Sequence, residues 1–280
     1  MVTKNKKINR IILYCLITLT VVTTVFPFLV MLSTSLKTGQ EATSTTPTLL
    51  PKDITFEHFI DVLNPAVFPF WSYFSNSMII SLSTAFLAVV IGTLGAYSFA
   101  RLEYKGRGAF QKGVLMIYMF SGILLVVPLF QMITSVNLYD TKLSLVITYL
   151  VLTMPVALYM LGNYFRTIPI SLEEAAMIDG LSRFKVIFKI VIPLSIPAIA
   201  SVFIYVFMIS WNEYLFASVF ITSEENMTLP IGLSHLFHTK HYVWGRMMAA
   251  SLLTAVPVVV LFGLLEKYFT GGLTEGGVKE

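Results

Sequence analysis

Long apolar stretches alternate with short polar ones along this 280-residue chain, and six of the apolar stretches have membrane length. They run over about 11–33, 77–100, 113–135, 143–162, 197–221 and 247–269. Crossing ~30 Å of hydrocarbon takes about 20 apolar residues as a helix. Backbone amides cannot go unpaired in lipid, so each stretch is expected to be helical. Spanning strands would need only ~10 alternating residues, and these runs neither alternate nor stop so early. The fold class expected is therefore an all-α membrane protein with six transmembrane helices in a single domain, 1–280. Pro128, Pro155 and Pro257 fall inside spans, where each removes a backbone hydrogen bond and bends its helix.

The intervening segments differ in kind. The longest, 34–76, holds Pro47, Pro51, Pro65 and Pro69, which leaves room for one short helix near Glu57 to Leu63. Segment 136–142 is a tight turn, and 222–246 carries Glu224, Glu225 and three of the four histidines. The tail, 270–280, is rich in glycine and is expected to be flexible on its own. The loop 163–196 reads as two short helices. Pro169 ends the preceding span, and Ser171 with Glu174 forms a capping-box pattern for the first. Ala175 and Ala176 are strong helix formers, and Gly180 after Asp179 fits a left-handed stop. A helix of about eight residues is marginal alone and needs a partner or a supporting layer. In the second, Phe184, Ile187, Phe188 and Val191 recur at helical spacing beside Lys185 and Lys189, a pattern suited to the inner membrane surface.

Composition agrees with the hydropathy pattern: 56% hydrophobic, 12% charged, mean hydropathy +0.80, where soluble domains carry about 25% charged residues. Charge adds an orientation. Fourteen of the nineteen basic residues fall on the side of the two termini and the 163–196 loop. The positive-inside rule places that side in the cytoplasm and 34–76, 136–142 and 222–246 outside. No basic stripe suited to nucleic acid is present. The first span is too long for a signal-peptide core, so it reads as an uncleaved helix. Cys15, the lone cysteine, supports neither a disulfide framework nor a metal site. His235, His238 and His241 recur every third residue, but with no helix clearly grouping them they read as a partner-facing polar loop rather than a metal site.

No catalytic constellation is evident. The chain has no phosphate-binding loop, and no glycine directly precedes a lysine, so any ATP-driven work requires another subunit. Glu213 is the one acid well inside a predicted span. Beside Trp211 and Asn212 near the outer end, it is expected to serve structure or gating more than solute contact. Gln131, Asn163 and Tyr205 fit interhelical hydrogen bonds.

The residues Glu173-Glu174-Ala175-Ala176, then Asp179-Gly180, then Ile190-Val191-Ile192-Pro193 have a spacing that resembles the EAA loop of ATP-binding-cassette (ABC) importer permeases. Asn76-Ser77, Gly95 to Arg101, Pro128-Leu129-Phe130, Asp140-Thr141, Trp211 to Tyr214 and Thr228 to Leu233 extend the likeness. Together they resemble the smaller, second permease subunit of maltose-type carbohydrate importers. The resemblance implies a type I importer fold. It also implies a second permease as heterodimer partner, two ATPase subunits carrying ATP and Mg, an extracytoplasmic solute-binding protein and a bacterial inner-membrane location. No cofactor is expected in the chain itself. Glu173, Glu174, Ala175, Ala176, Asp179 and Gly180 would form the ATPase-coupling helix, and Trp211, Asn212 and Glu213 a pathway or gating element. In maltose-type members, 222–246 would reach the binding protein and the tail would touch the ATPase pair. A non-sugar solute such as glycerol phosphate is the alternative within the family. An ion-driven secondary transporter is a further one, but it would want intramembrane acids, and these spans are nearly free of them.

Overall fold

The computed structural model describes residues 2–44, 48–237 and 243–274. It is helical almost throughout, with no strand among the described residues. Fourteen α-helices are described: α1 (Val2–Ser35), α2 (Gly39–Ala42), α3 (Glu57–Leu63), α4 (Phe70–Arg101), α5 (Arg107–Met119), α6 (Gly122–Ser135), α7 (Lys142–Thr167), α8 (Ile170–Ile178), α9 (Arg183–Val186), α10 (Ile192–Leu194), α11 (Ile196–Asn212), α12 (Leu215–Phe220), α13 (Leu229–Phe237) and α14 (Trp244–Thr274). Helices α1, α4, α7 and α14 are each long and apolar enough to cross a membrane. Two bent pairs raise the number to six if each counts as one span.

Both bent pairs depart from the one continuous helix per span that was expected. The 113–135 run is two helices, α5 and α6, at 103° to each other. Phe120 and Ser121 are extended, with ψ 135° and 134°, so the helical ladder stops there. The 197–221 run also divides. α11 ends at Asn212, Glu213 is extended (ψ 127°), and α12 restarts at Leu215. On its other side, the helical stretch Arg183–Leu194 meets α11 at 80°. α14 continues through Thr274, further than the glycine-rich tail suggested, because no proline follows Pro257 to stop it. Residues 275–280 lie outside the described residues, as do His238 and His241.

The chain forms two compact units. One comprises residues 1–71 and 233–256. Its loop after α1 is tied down by polar contacts: the Ser33 hydroxyl donates to the Leu49 carbonyl and Lys37 Nζ to the Thr48 carbonyl. Glu41 accepts from the Thr48 hydroxyl (2.7 Å) and the Lys52 N–H (3.1 Å). The Thr48 bond leads the effects that hold the Glu41 carboxyl below the usual carboxylate range. α3 is pinned by Asp61, whose carboxylate accepts from Arg246 Nη2 at 2.5 Å. The His58 ring lies close against Gly245, where an added Cβ would fall 2.1 Å from the ring. α1 buries none of its apolar window within the chain.

The second unit comprises residues 72–232 and 257–280. Its core joins α4, α6, α7, α12 and the start of α13 through Ile80, Ile133, Leu145, Tyr149, Phe216, Phe220 and Ile231. Removing these side chains from water or lipid headgroups fixes their helices by close packing rather than by directional bonds. α4 and α7 approach closely because Gly92 and Gly95 present no side chain. A Cβ at Gly95 would lie 2.7 Å from Leu158 Cδ2. Small residues at such a contact let van der Waals packing drive helix association in a membrane.

Candidate functional site

The polar chemistry of the second unit gathers at the two ends of α4. At its carboxy-terminal end, Arg101 occupies the last turn, where the helix dipole favours a cation. α7 ends at Thr167, and only Ile168 and Pro169 separate it from α8. Pro169, held at φ −58°, is the residue from which α8 starts. Ser171 is therefore inside the helix and makes no cap, contrary to the capping-box expectation. The early start rotates Glu173 toward α4. Its Oε1 accepts from Arg101 Nε at 2.6 Å and its Oε2 from the Tyr97 hydroxyl at 2.9 Å. Arg101 Nη2 also donates to the Ile168 carbonyl at 2.6 Å. The Arg101 and Glu173 side chains are only 8% and 4% exposed. The anchor is thus buried, with one carboxylate oxygen held by the guanidinium and the other by the phenol.

The anchor divides the predicted coupling residues into two faces. Glu173 and Ala176, three apart, face inward and are buried. Glu174, Ala175, Ile178, Asp179 and Gly180 face outward and are exposed. Ile178, beside Asp179, is 85% exposed. Gly180 ends the helix at φ +84°. The Leu181 N–H bonds the Ala176 carbonyl (3.0 Å) and the Gly180 N–H the Met177 carbonyl (3.1 Å). That pair of bonds is the Schellman stop that glycine favours. The next segment is less regular than its spacing suggested, passing through a π-helical turn at Ile187–Val191. Phe184 and Phe188 pack together there, ring centroids 4.8 Å apart, and both are exposed.

At the amino-terminal end of α4, Asn76 Nδ2 donates to the carbonyls of Glu225 (2.8 Å) and Met227 (2.9 Å). The Ser77 hydroxyl accepts from the Leu229 N–H at 2.8 Å. Tyr73 donates to Glu224 Oε1 at 3.4 Å. The same segment is gripped from the α6–α7 turn by Asp140, a left-handed residue (φ 57°). Asp140 Oδ1 accepts from the N–H groups of Thr222 (2.9 Å) and Ser223 (3.0 Å) and from the Ser223 hydroxyl (3.0 Å). Burial pushes the Asp140 carboxyl up, but the Ser223 and Thr222 hydrogen bonds outweigh it and hold it below the usual range. A depressed carboxyl stabilises the fold fully above its unfolded pKa of about 3.9. The stabilisation is lost as pH falls through the lower folded value. The 221–227 segment is thus expected to keep its hydrogen-exchange protection from pH 7 to about 5 and to lose it below about pH 4. Asp140→Ala is expected to lose that protection already at neutral pH.

Glu213 acts as a helix cap. Its two carboxylate oxygens accept from the Phe216 N–H (2.8 Å) and the Ala217 N–H (3.1 Å), at the start of α12. An anion there satisfies donors that would otherwise be unpaired and meets the positive end of the helix dipole. Trp211 is buried, stacked on Phe207 (5.6 Å) and edge-on to Phe74 (5.7 Å). Asn212 is exposed, and its amide donates to the Met208 carbonyl one turn back. Asn163, Arg166 and Gln111 line a cavity of about 100 Å³ with Phe99, Leu115 and Tyr159. Nothing in the sequence signalled that Asp140, Asn76 and Ser77 would converge on 222–229, because those contacts join segments 82 to 152 residues apart.

A long prolineless span anchored by a buried ion pair to a short helix, with that helix's other face exposed, is an arrangement to set beside known proteins. The family model for binding-protein-dependent transport system inner membrane components matches residues 2–270. The chain belongs to this family. It is a multi-pass membrane permease with the fold of ABC importer permeases. It is 52% identical over 279 residues to the inner membrane ABC transporter permease protein YcjP of Escherichia coli (strain K12), covering 100% of each chain. It is 36% identical over 278 residues to the trehalose/maltose transport system permease protein MalG of Thermococcus litoralis, covering 99% of each. Its fold matches a chain of a bacterial ABC transporter involved in import of the acidic polysaccharide alginate, with a TM-score of 0.79. That match covers 95% of this chain and 98% of the other at 23% identity.

Proposed function

We propose that this permease forms half of the pathway of a carbohydrate importer and is driven by ATPase subunits that dock on α8. The observation that carries the reading is the two-faced α8: Glu173 holds it to α4 from within, which leaves Glu174, Ala175, Ile178, Asp179 and Gly180 free for a soluble partner. Of the six residues assigned to coupling from sequence, Glu173 and Ala176 therefore serve the anchor, and the exposed neighbour Ile178 joins the docking face. The solute class rests on relatives named for trehalose and maltose, diacetylchitobiose and arabinooligosaccharides.

The excess of basic residues on the side of α8 and both termini supports a cytoplasmic place for them, the side on which ATP is available. ATP and Mg belong to the ATPase subunits. An apolar α1 that is unburied within its own chain supports contact with lipid or with a second permease. Segment 222–237 would then face the solute-binding protein. Swinging the permease from 1:99 to 99:1 between inward-open and outward-open states takes ~5.5 kcal/mol of differential binding. Closure of the ATPase pair would supply it through α8. Trp211 and Glu213 fix the α11–α12 elbow and act in gating through shape rather than by holding sugar.

The test is to tag this chain, extract it from membranes in mild detergent and identify what comes with it. The expected complex contains a second permease and an ABC ATPase, and the purified binding protein retains a mono- or oligosaccharide. Recovery of the permease with no ATPase under conditions that preserve the permease pair would overturn the proposal.

A further inference from the structure

We infer that α4 is the rod that carries the state of the docking helix α8 to the outer segment 224–229, with Tyr97 and Arg101 as positioning residues at one end and Asn76 at the other. The inference rests on the reading of α8 as the ATPase-docking helix and adds to it a route and its residues.

Four observations carry it. First, both attachments are specific and buried. Arg101 and Tyr97 hold both oxygens of Glu173 at 2.6 and 2.9 Å, and Asn76 and Ser77 hold the backbone of Glu225, Met227 and Leu229 at 2.8–2.9 Å. Second, all of these residues belong to one compact unit, 72–232. Third, one uninterrupted helix joins them. At 1.5 Å per residue, Asn76 and Arg101 are ~37 Å apart along its axis. Fourth, among the described residues α4 is the one long helical span without a proline; α1, α7 and α14 contain Pro27, Pro155 and Pro257. A proline removes a backbone bond and gives a helix a place to flex. The two glycines within α4 that could soften it, Gly92 and Gly95, are backed by Leu161 and Leu158 of α7.

α7 offers a parallel route. It leads directly into α8, and its other end adjoins Asp140. Its midpoint, however, is Pro155, whose side borders the cavity beside α5. A helix that lacks a backbone hydrogen bond at its midpoint gives under a displacement that an uninterrupted one passes on. The linkage is reciprocal by thermodynamic necessity: what α8 does to 224–229, occupancy at 224–229 does to α8.

A single rod and independent local effects at its two ends predict different results. Coupling through one rod means that cutting either end removes the response, and cutting both removes no more. Independent local effects at sites ~37 Å apart would instead combine additively. The assay uses the complete complex in lipid vesicles, with Glu225→Cys as reporter in a Cys15→Ala background. Glu225 is exposed and contributes only its carbonyl to the Asn76 contact. A membrane-impermeant maleimide reads the alkylation rate of this chain with and without ATP plus vanadate.

The expected result is a nucleotide-dependent change in rate in the parent and loss of most of that change in Arg101→Gln and in Asn76→Ala. No further loss is expected in the double variant. Tyr97→Phe, which deletes a single hydroxyl and leaves the ion pair intact, is expected to give a partial loss, so the outcome does not depend on a variant that fails to fold. Recovery of ATPase with each variant shows that docking is intact. Additive losses in the double variant, or a parent whose reporter ignores nucleotide while ATPase is bound, would overturn the rod. Absence of ATPase from the parent complex would instead overturn the docking reading beneath it.

Discussion

Glu174→Lys is expected to leave the permease folded and strip it of its ATPase, whereas Glu173→Ala, one residue earlier, is expected to destabilise the permease itself. The two carboxylates lie on opposite sides of α8. Glu173 is 3% exposed and takes bonds from Arg101 and Tyr97. Removing it leaves the Arg101 guanidinium buried without its counter-charge, and breaking one member of such a pair costs about 3–5 kcal/mol. Replacing both partners with apolar residues of similar volume costs much less, because no charge is then stranded. Glu173→Met combined with Arg101→Met is accordingly expected to recover most of the lost stability. Glu174 is exposed, and among the described residues it enters neither an ion pair nor the Glu173 anchor. Surface substitutions of this kind usually change stability by within about 0.5 kcal/mol. The charge reversal acts instead on whatever docks there. Thermal unfolding of the detergent-solubilised permease and the yield of co-purified ATPase separate the two effects. A Glu173→Ala protein that melts with the parent, or a Glu174→Lys protein that keeps its full share of ATPase, would contradict this division of labour.

That division was half legible in the sequence. Hydropathy located the membrane-length runs because apolar run length is what a bilayer selects. The Gly180 stop was also legible, since a glycine after an alanine-rich turn has few other structural uses. The break at Phe120–Ser121 was not. Both helices flanking it are apolar, and hydropathy reports burial in lipid but not the direction of the axis. For Glu213 a structural or gating role was expected from its place near the outer end of a span, but the form that role takes was hidden: it accepts from two backbone donors of a helix whose start no sequence pattern marked. The inward turn of Glu173 had a trace in the sequence. Glu173 and Ala176 share one face, as do Tyr97 and Arg101, four apart, on α4. Joining those faces requires knowing that segments 72 to 76 residues apart are neighbours, and that is a property of the fold alone.

Gly180→Asp is expected to abolish transport while costing the permease little stability. Gly180 sits at φ +84°, where a residue with a Cβ pays about 1–2 kcal/mol. Aspartate is among the residues least penalised there. Nothing lies within 4 Å of the position a Cβ would take, so there is no clash inside the permease to add to that cost. The space is open because it belongs to the surface that a partner covers in the proposed complex. A carboxylate there adds bulk and a second negative charge beside the exposed Asp179. Each 1.4 kcal/mol of lost docking free energy lowers affinity about tenfold. Two controls separate backbone strain from obstruction. Gly180→Ala imposes the full strain with a single methyl group, and Gly180→Asn has nearly the shape of aspartate without its charge. If strain governs, alanine is the worst of the three and the Schellman stop unravels in all of them. If docking governs, aspartate is the worst, asparagine falls between, and the melting temperatures of the three permeases stay close together. Transport by vesicles carrying Gly180→Asp at the parental rate would remove Gly180 from the docking surface altogether.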